Sequence, residues 1–253
     1  MKGFSLVELS IVLVILGLLT GGILAGQSLI RAAELRSIST QYQQFIAATH
    51  SFRDKYMALP GDMNNATRFW SRQVNAVSCT TNSAAAVVAT GTCDGNNDGL
   101  LSFLAGSNEY FQYWRQLALA GLIEGTYSGV QQGAAVNAVI VGTNTPMGKI
   151  SNSGWHTQRY SITGHGWWFD NDYGNFLTFG IQNNDTHPTR SITPEELWNI
   201  DTKMDDGRPG VGKVWATNWN ICTNAATSAD AATAQYDFSV TARDCSPVFL
   251  NVF

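Results

Sequence analysis

The sequence predicts an α+β protein: a long N-terminal α-helix packed on an antiparallel β-sheet head that carries short extra helices. Three observations predict it. Leu9 to Ile30 has no charged side chain. Beyond it Leu35, Ile38, Tyr42, Phe45, Ile46, Phe52 and Tyr56 recur at mostly three- and four-residue steps, or multiples of them, with Arg36, Gln43, Gln44, Arg53 and Asp54 between them, the pattern of an amphipathic helix. From about residue 137 the period changes to short apolar runs separated by Gly, Asn and Asp, as in strands joined by turns. Helix first and strands afterwards is the order of an α+β chain.

The opening helix is read as continuous from Phe4 to about Met57, close to 80 Å at about 1.5 Å per residue. Its apolar part alone reaches about 33 Å, enough for a hydrocarbon core of roughly 30 Å. A signal peptide has a shorter apolar core and a small-residue cleavage site, for which Ile23-Leu24-Ala25-Gly26 is a weak match. A plain anchor fits the length but gives no reason for Glu8, because a carboxylate inside such a run is costly.

Leu59-Pro60-Gly61 stops the helix, and Asp62 is placed to cap a short helix ending near Trp70. Residues 75–93 are rich in Ala, Thr, Ser and Asn and read as an exposed loop. Another helix starts near Ser107, with Phe111, Trp114, Leu117, Ala118 and Ile123 on one face and Gly121 as its stop. Strands are expected at Val136–Val141, Arg159–Thr163, Trp167–Phe169, Phe176–Ile181, Val211–Ala216, Tyr236–Val240 and Pro247–Phe253. Between them Thr193 and Glu196 form a capping box with Pro194 at the first helical position, and Leu197 and Ile200 face inward.

Composition narrows the function classes. Charged residues make up 13% of the chain, with net charge −4, against about 25% charged in an average domain. No basic stripe is present, so nucleic acid is not an expected partner. Four cysteines, Cys79, Cys93, Cys222 and Cys245, allow three pairings. Their spacings favour the local loops Cys79–Cys93 and Cys222–Cys245, the first worth roughly 3 kcal/mol in the chain-entropy picture. Zinc is the alternative, but no C-x-x-C pair exists. Disulfides imply an oxidising compartment and a head outside the cytoplasm. There is no G-x-S-x-G, no H-E-x-x-H and no phosphate-cradling glycine loop, and an enzyme is not expected.

The sharpest local motif is Asp94-Gly95-Asn96-Asn97-Asp98-Gly99-Leu100. Side-chain oxygens of Asp94, Asn96 and Asp98 at positions one, three and five, glycine at six and the Leu100 carbonyl at seven follow the start of a Ca²⁺ loop. Position twelve is Ala105 where that loop needs a bidentate glutamate, so Glu109 or a distant acid must complete the shell. The alternative is a metal-free Asn/Asp/Gly turn. Asp201, Asp205, Asp206 and Gly207 form a second acidic turn, at a helix C-terminus, where acids oppose the macrodipole. Its simpler reading is a solvated acidic loop, offset by Lys203, Arg208 and Lys213 or by a cation. Trp155, His156, Tyr160, His165, Trp167, Trp168 and Tyr173 make an aromatic stretch, read as core plus subunit contact in preference to a ligand site; adjacent Trp167 and Trp168 would point to opposite faces of a strand.

Gly3-Phe4-Ser5-Leu6-Val7-Glu8, behind a basic leader and ahead of the apolar helix, resembles the processing site of type IV pilins and type II secretion pseudopilins. The resemblance covers about the first sixty residues. It implies cleavage after Gly3 by a membrane aspartyl peptidase and N-methylation of Phe4 by the same prepilin peptidase/methyltransferase. It also implies that Glu8 is the acid at mature position five. Physics gives that acid a role: pairing with the Phe4 amine of a neighbour would set the stagger between helices. Gly17 matches a family glycine of the helix that unwinds on assembly, whereas the helix-breaking proline is replaced by Ala25, leaving a Gly-rich run (Gly17, Gly21, Gly22, Gly26) in its place. The leader Met1-Lys2-Gly3 is short for this family and suggests a start further upstream.

The implied organisation is leader 1–3, transmembrane and filament-core helix 4–30, amphipathic half 31–59 and extracytoplasmic head 60–253. The implied partners are copies of itself or other pilins in a helical filament, the processing enzyme and the inner membrane. The chain would sit there as a single-pass protein before entering an extracellular pilus or periplasmic pseudopilus. Related pseudopilin heads hold calcium, which agrees with Ca²⁺ as the expected cofactor. Retention of Glu8 argues against the tip-capping type. The rival reading is a minor pilin or pseudopilin acting as a membrane-anchored adhesin or sugar-binding module.

Overall fold

A computed structural model describes residues 5–73, 91–102, 109–130, 138–183 and 190–250. Helix α1 runs unbroken over Leu6–Tyr56, 51 residues. Its first half buries nothing: Ser5 to Ile30 is exposed apart from partly covered Gly26, and the most apolar 18-residue window has mean hydropathy 2.4. By length and composition this segment can cross a membrane. The second half lies on the head. Ile38, Phe45, Ala48, Thr49 and Phe52 are buried, Leu35, Tyr42, Ile46 and Tyr56 are partly so, and Arg36, Gln43, Gln44, Arg53 and Asp54 face out. This is the face expected from the periodicity. Met57, in the left-handed region at φ 53°, ends the helix by donating its amide to the Arg53 carbonyl.

The return turn needs glycine at position 61. Gly61 has φ +88°, and a Cβ there would overlap the Glu109 carbonyl. A one-turn helix α2, Thr67–Trp70, follows. Its Trp70, with Phe52, Tyr56 and Phe69, makes an aromatic cluster with ring centroids 4.5–6.1 Å apart at the end of α1. Helix α3 spans Glu109–Leu119. It ends as expected at Gly121: amides 121 and 122 bond back to carbonyls 118 and 117, the Schellman arrangement.

Strand β1, Ser153–Ile162, and β2, Asn171–Ile181, form a long antiparallel hairpin with a register shift between Arg159 and Ser161. Then come helix α4, Pro194–Met204, with the expected Thr193/Glu196 capping box, strand β3, Val214–Ala216, and the short helix α5, Trp219–Cys222. A 3₁₀ turn at Ser228–Thr233 and strand β4, Pro247–Phe249, complete the described chain. Sheet order is β1-β2-β4-β3, all pairs antiparallel.

Alternation along the strands gives the sheet two apolar faces. Trp155, Leu177, Phe179, Val214, Ala216 and Phe249 belong to the core beneath α1. There Tyr42 stacks on Phe249 at 4.4 Å, and Phe45 meets Trp155 and Trp114 edge-on at 5.4 and 4.9 Å. Ile162, Phe176, Trp215, Val248 and Leu250 join a second core, closed by Trp168, Phe169 and Tyr173.

Several strand expectations need correction. Residues 138–140 are irregular and Val141 makes only an isolated bridge to Thr145; 136–137 lie outside the described residues. Trp167–Phe169 is a bend, not a strand. Trp168 is nevertheless buried and Trp167 is 49% exposed, so the opposed placement of the pair comes from the bend and not from a pleat. Tyr236–Val240 reduces to one bridge, Tyr236 to Thr223. β3 begins at Val214, β1 starts six residues before Arg159, and β4 stops at Phe249, with 251–253 outside the described residues. α3 also departs from expectation, because Glu109 through Leu117 are all buried.

Phe52 is fully buried where α1 leaves the head. Phe52→Ala is expected to cost about 3–5 kcal/mol, read as a lowered denaturant midpoint of the full-length chain in detergent.

Candidate functional site

Gly3 and Phe4 lie outside the described residues. Glu8 is exposed, and its carboxylate accepts the Ser5 amide at 2.9 Å while Ser5 Oγ accepts the Val7 amide at 3.3 Å. This is a capping box, and the pattern Ser5-x-x-Glu8 is its sequence signature. The carboxylate thus holds the N-cap amide of its own helix, which the reading of Glu8 as a register acid alone did not include.

Where the apolar half of α1 ends, Arg31 turns onto the head. Its Nε and Nη2 donate to the two Glu196 oxygens at 2.6 Å each, and Nη1 donates to Glu34 at 3.0 Å. Such a fork is among the stronger charge-assisted contacts. Burial alone would raise the Glu196 pKa. Hydrogen bonds from Arg31 and the Thr193 amide outweigh it and hold the carboxylate below its ordinary value, while Glu196 in turn raises Arg31. Glu196 therefore closes the α4 capping box and anchors α1. The pairing across 165 residues carries no local sequence signal. Further along, Gln41 accepts from Trp155 Nε1 at 3.0 Å and donates to the Met147 carbonyl at 3.2 Å, and Thr49 shares a 2.6 Å bond with Tyr113.

In the 94–100 loop the side chains serve backbone amides. Asp94 accepts both the amide and the hydroxyl of Thr67 at 2.8 Å, and so caps α2, the task expected of Asp62. Asp62 instead accepts the amides of Asp98 and Gly99 at 3.2 and 2.8 Å. Asn96 Oδ1 accepts from the Asp98 amide, and Asp98 Oδ1 accepts from that of Leu100. Glu109, which the sequence offered as one way to complete a metal shell, enters from α3, and its oxygens take the amides of Asn96 and Ser102 at 3.2 and 2.8 Å. Both inward acids are buried. Burial raises Asp62, and burial together with the charges of Asp62 and Asp98 pushes Glu109 up to about 7.

Elsewhere α3 is a buried polar hub. Arg115 donates to the carbonyls of Gly91, Tyr127 and Ser128; Gln112 joins Thr92 to Gly129; Gln116 joins Gly61 to Cys93. Apolar periodicity does not reveal such residues, because their burial depends on carbonyls brought from distant loops.

Cys222 and Cys245 are bridged as expected, Cα atoms 5.5 Å apart. Cys93 is disulfide-bonded; Cys79 lies outside the described residues. Of the aromatic stretch, Trp155, His156, Trp168 and Tyr173 are buried, whereas Tyr160 and Trp167 are exposed. Among the described residues, the acids whose ligand oxygens converge within 4.8 Å are Asp201, Asp205 and Asp206, not those of the 94–100 loop. Comparison with family models, curated proteins and solved structures returned no match.

Two outcomes are expected here. Arg31→Ala should destabilise the chain by about 1–3 kcal/mol near neutral pH. The Glu196 pKa is lowered on folding, so the stabilisation is present above the ordinary glutamate value of about 4.3 and is lost as pH falls through the folded value. Wild type and variant should therefore converge in denaturation curves taken in acid. Glu109 has the opposite sign: its folded value exceeds its unfolded one, so stability falls as pH rises toward about 7. Glu109→Gln should flatten that slope in thermal unfolding between the ordinary glutamate value of about 4.3 and about pH 7. Overall stability should drop as well, because an amide NH₂ would face a donor. Asp201, also pushed up to about 7 chiefly by burial, keeps part of the slope.

Proposed function

We propose that this chain is a structural subunit of a type IV pilus-like filament, held in a membrane by its N-terminal helix and then polymerised through it. The observation that carries the reading is the division of one continuous helix into a fully exposed apolar half and a half built into the head. An apolar surface as large as Leu6 to Ile30 requires lipid or other apolar helices around it. A helix fused rigidly to a head transmits the packing of its exposed half directly to the position of that head.

Processing between Gly3 and Phe4 would leave a charged, methylated amine at the start of the mature helix, one residue before the amide that Glu8 holds. On assembly the Glu8 carboxylate would exchange its local cap, an interaction of about 0.5–2 kcal/mol, for the amine of a neighbouring copy. Pairing the two charges would offset the desolvation of both and select one axial stagger. Identical head-to-tail contacts whose rotation does not close produce an open helix. A groove of about 1350 Å³ beside the head half of α1, lined by the small Ala32, Ala47 and Ser51 of the helix and by Leu122, Pro146 and Met147, offers a surface that another subunit can approach. The disulfide supports an oxidising location for the head. A second reading, an adhesive minor pilin or pseudopilin, draws on the exposed aromatics Trp167, Trp198 and Phe238.

Glu8→Ala is expected to leave membrane insertion intact and to abolish or strongly reduce incorporation into filaments, scored by shearing and electron microscopy. Normal filaments from that variant would refute the register role. Mass spectrometry of the mature chain should find N-methylated Phe4 at its start.

A further inference from the structure

One end of the head gathers arginines around the point where α1 emerges from it. Directly after the uncharged run that closes at Ile30, Arg31 bonds Glu196 and also donates Nη2 to the Ser191 carbonyl at 3.4 Å. Residues 191–192 are paired in turn with Cys245: the Ser191 and Ile192 amides donate to its carbonyl, and its own amide donates to the Ile192 carbonyl. The Cys222–Cys245 bridge fixes this short ribbon to α5. Arg190 and Asp244, joined at 3.5 Å, therefore stand at the edge of the contact with Arg31, and Arg243 is the next residue out. Burial raises the Glu196 pKa; Arg31 and the Thr193 amide lower it, and Arg243 lies near enough to add to that lowering.

Some of these guanidinium groups are matched within the chain. Arg31 has Glu196 and Glu34, and Arg190 has Asp244 while its side chain stays half exposed. Two are not matched. Arg243 and Arg36 are exposed and, among the described residues, make no ion pair. Arg36 stands about 7.5 Å beyond Arg31 along the helix axis at about 1.5 Å per residue. Glu195, in the first turn of α4, is an exposed acid of the same region. The collar is therefore not a uniformly basic face; what it offers is guanidinium donors without partners, held at a fixed height on the helix. All four of its cations are arginines, whose planar forks match the oxygens of phosphate. Seated in a bilayer, the apolar run would leave the hydrocarbon at about the level of Arg31, which brings these forks to the depth of lipid phosphates.

We propose that this collar docks the head on the surface of a bilayer containing anionic phospholipid, with lipid phosphates taken by Arg36, Arg243 and the open side of Arg190. The contact rests on the membrane-held state of α1 proposed above and adds a second attachment, made by the head itself. Anionic lipid attracts basic side chains only within about a Debye length of the surface, a distance that the position of Arg190 and Arg243 beside Arg31 satisfies. Docking would hold the head against the bilayer until assembly withdraws α1 from the lipid.

The test places full-length protein in nanodiscs of phosphatidylcholine, alone or mixed with phosphatidylglycerol, and follows arginine labelling by phenylglyoxal with peptide mass spectrometry. Arg53, exposed about 33 Å beyond Arg31 on the same helix, is the internal control. Labelling of Arg243 is expected to slow about fivefold in the anionic discs relative to the neutral ones, the factor that roughly 1 kcal/mol per arginine near such a surface provides. Arg53 should label equally in both, and the protection of Arg243 should fade as salt is raised. Arg36→Gln combined with Arg190→Gln changes exposed side chains alone; this variant should enter discs as wild type does and lose most of the protection at Arg243. Equal labelling of Arg243 in the two lipids would overturn the proposal, even with Arg36 protected, because Arg36 belongs to the helix and not to the head. Equal protection of Arg243 by inorganic phosphate in detergent, with no bilayer, would overturn it in favour of a free anion. Failure of wild type to enter either disc would overturn the membrane-held state and this contact with it.

Discussion

Helix α1 has to satisfy two environments with one uninterrupted backbone, and the fork from Arg31 to Glu196 marks the place where they meet. N-terminal to it every turn is apolar and exposed; C-terminal to it the buried stripe from Ile38 to Phe52 becomes the spine of the head. An apolar stripe alone lets a helix slide or rotate by a turn with modest loss. A bidentate ion pair at one end, the Gln41–Trp155 bond in the middle and the Thr49–Tyr113 bond further along are directional. Together they admit one position of α1 on the head.

The sheet is shaped by that docking. Its four strands present large apolar side chains on both faces, so a single helix can cover only one of them. The other is closed by Trp168, Phe169 and Tyr173 from the β1–β2 connection and the start of β2. The aromatic richness of 155–173 is therefore used mainly for two cores, with Trp167 and Tyr160 left at the surface.

Acids buried wholly or in part meet three different solutions in this small head. Glu196 is paired with a guanidinium, and its pKa goes down. Among the described residues Asp62 and Glu109 are bound by backbone amides, which do not fully offset desolvation, so theirs go up. Asp201 has a tyrosine hydroxyl on one oxygen and, among the described residues, no hydrogen-bond partner of normal geometry on the other. The order follows the charge of the partner, since a full positive charge compensates burial better than amide dipoles do.

Much of the architecture was legible in residue order alone. The length and apolar character of α1, its amphipathic second half, the Thr193 capping box, the Gly121 stop and the Cys222–Cys245 bridge depend on local periodicity, capping chemistry or short spacing. Those are properties a chain carries before it folds. The processing and assembly roles proposed for Gly3–Glu8 rest on six consecutive residues alone. Only the tertiary structure decided that Asp94 caps α2 while Asp62 holds the loop, that α3 buries its polar Gln112, Arg115 and Gln116 as well as its apolar residues, and that residues 167–169 bend. It also decided that Arg31 finds Glu196 and that, among the described residues, one Asp201 oxygen is left without a donor. Each of these depends on which distant amide, carbonyl or charge arrives beside a side chain, and the energy of a buried polar group is set by that neighbour rather than by its own place in the sequence.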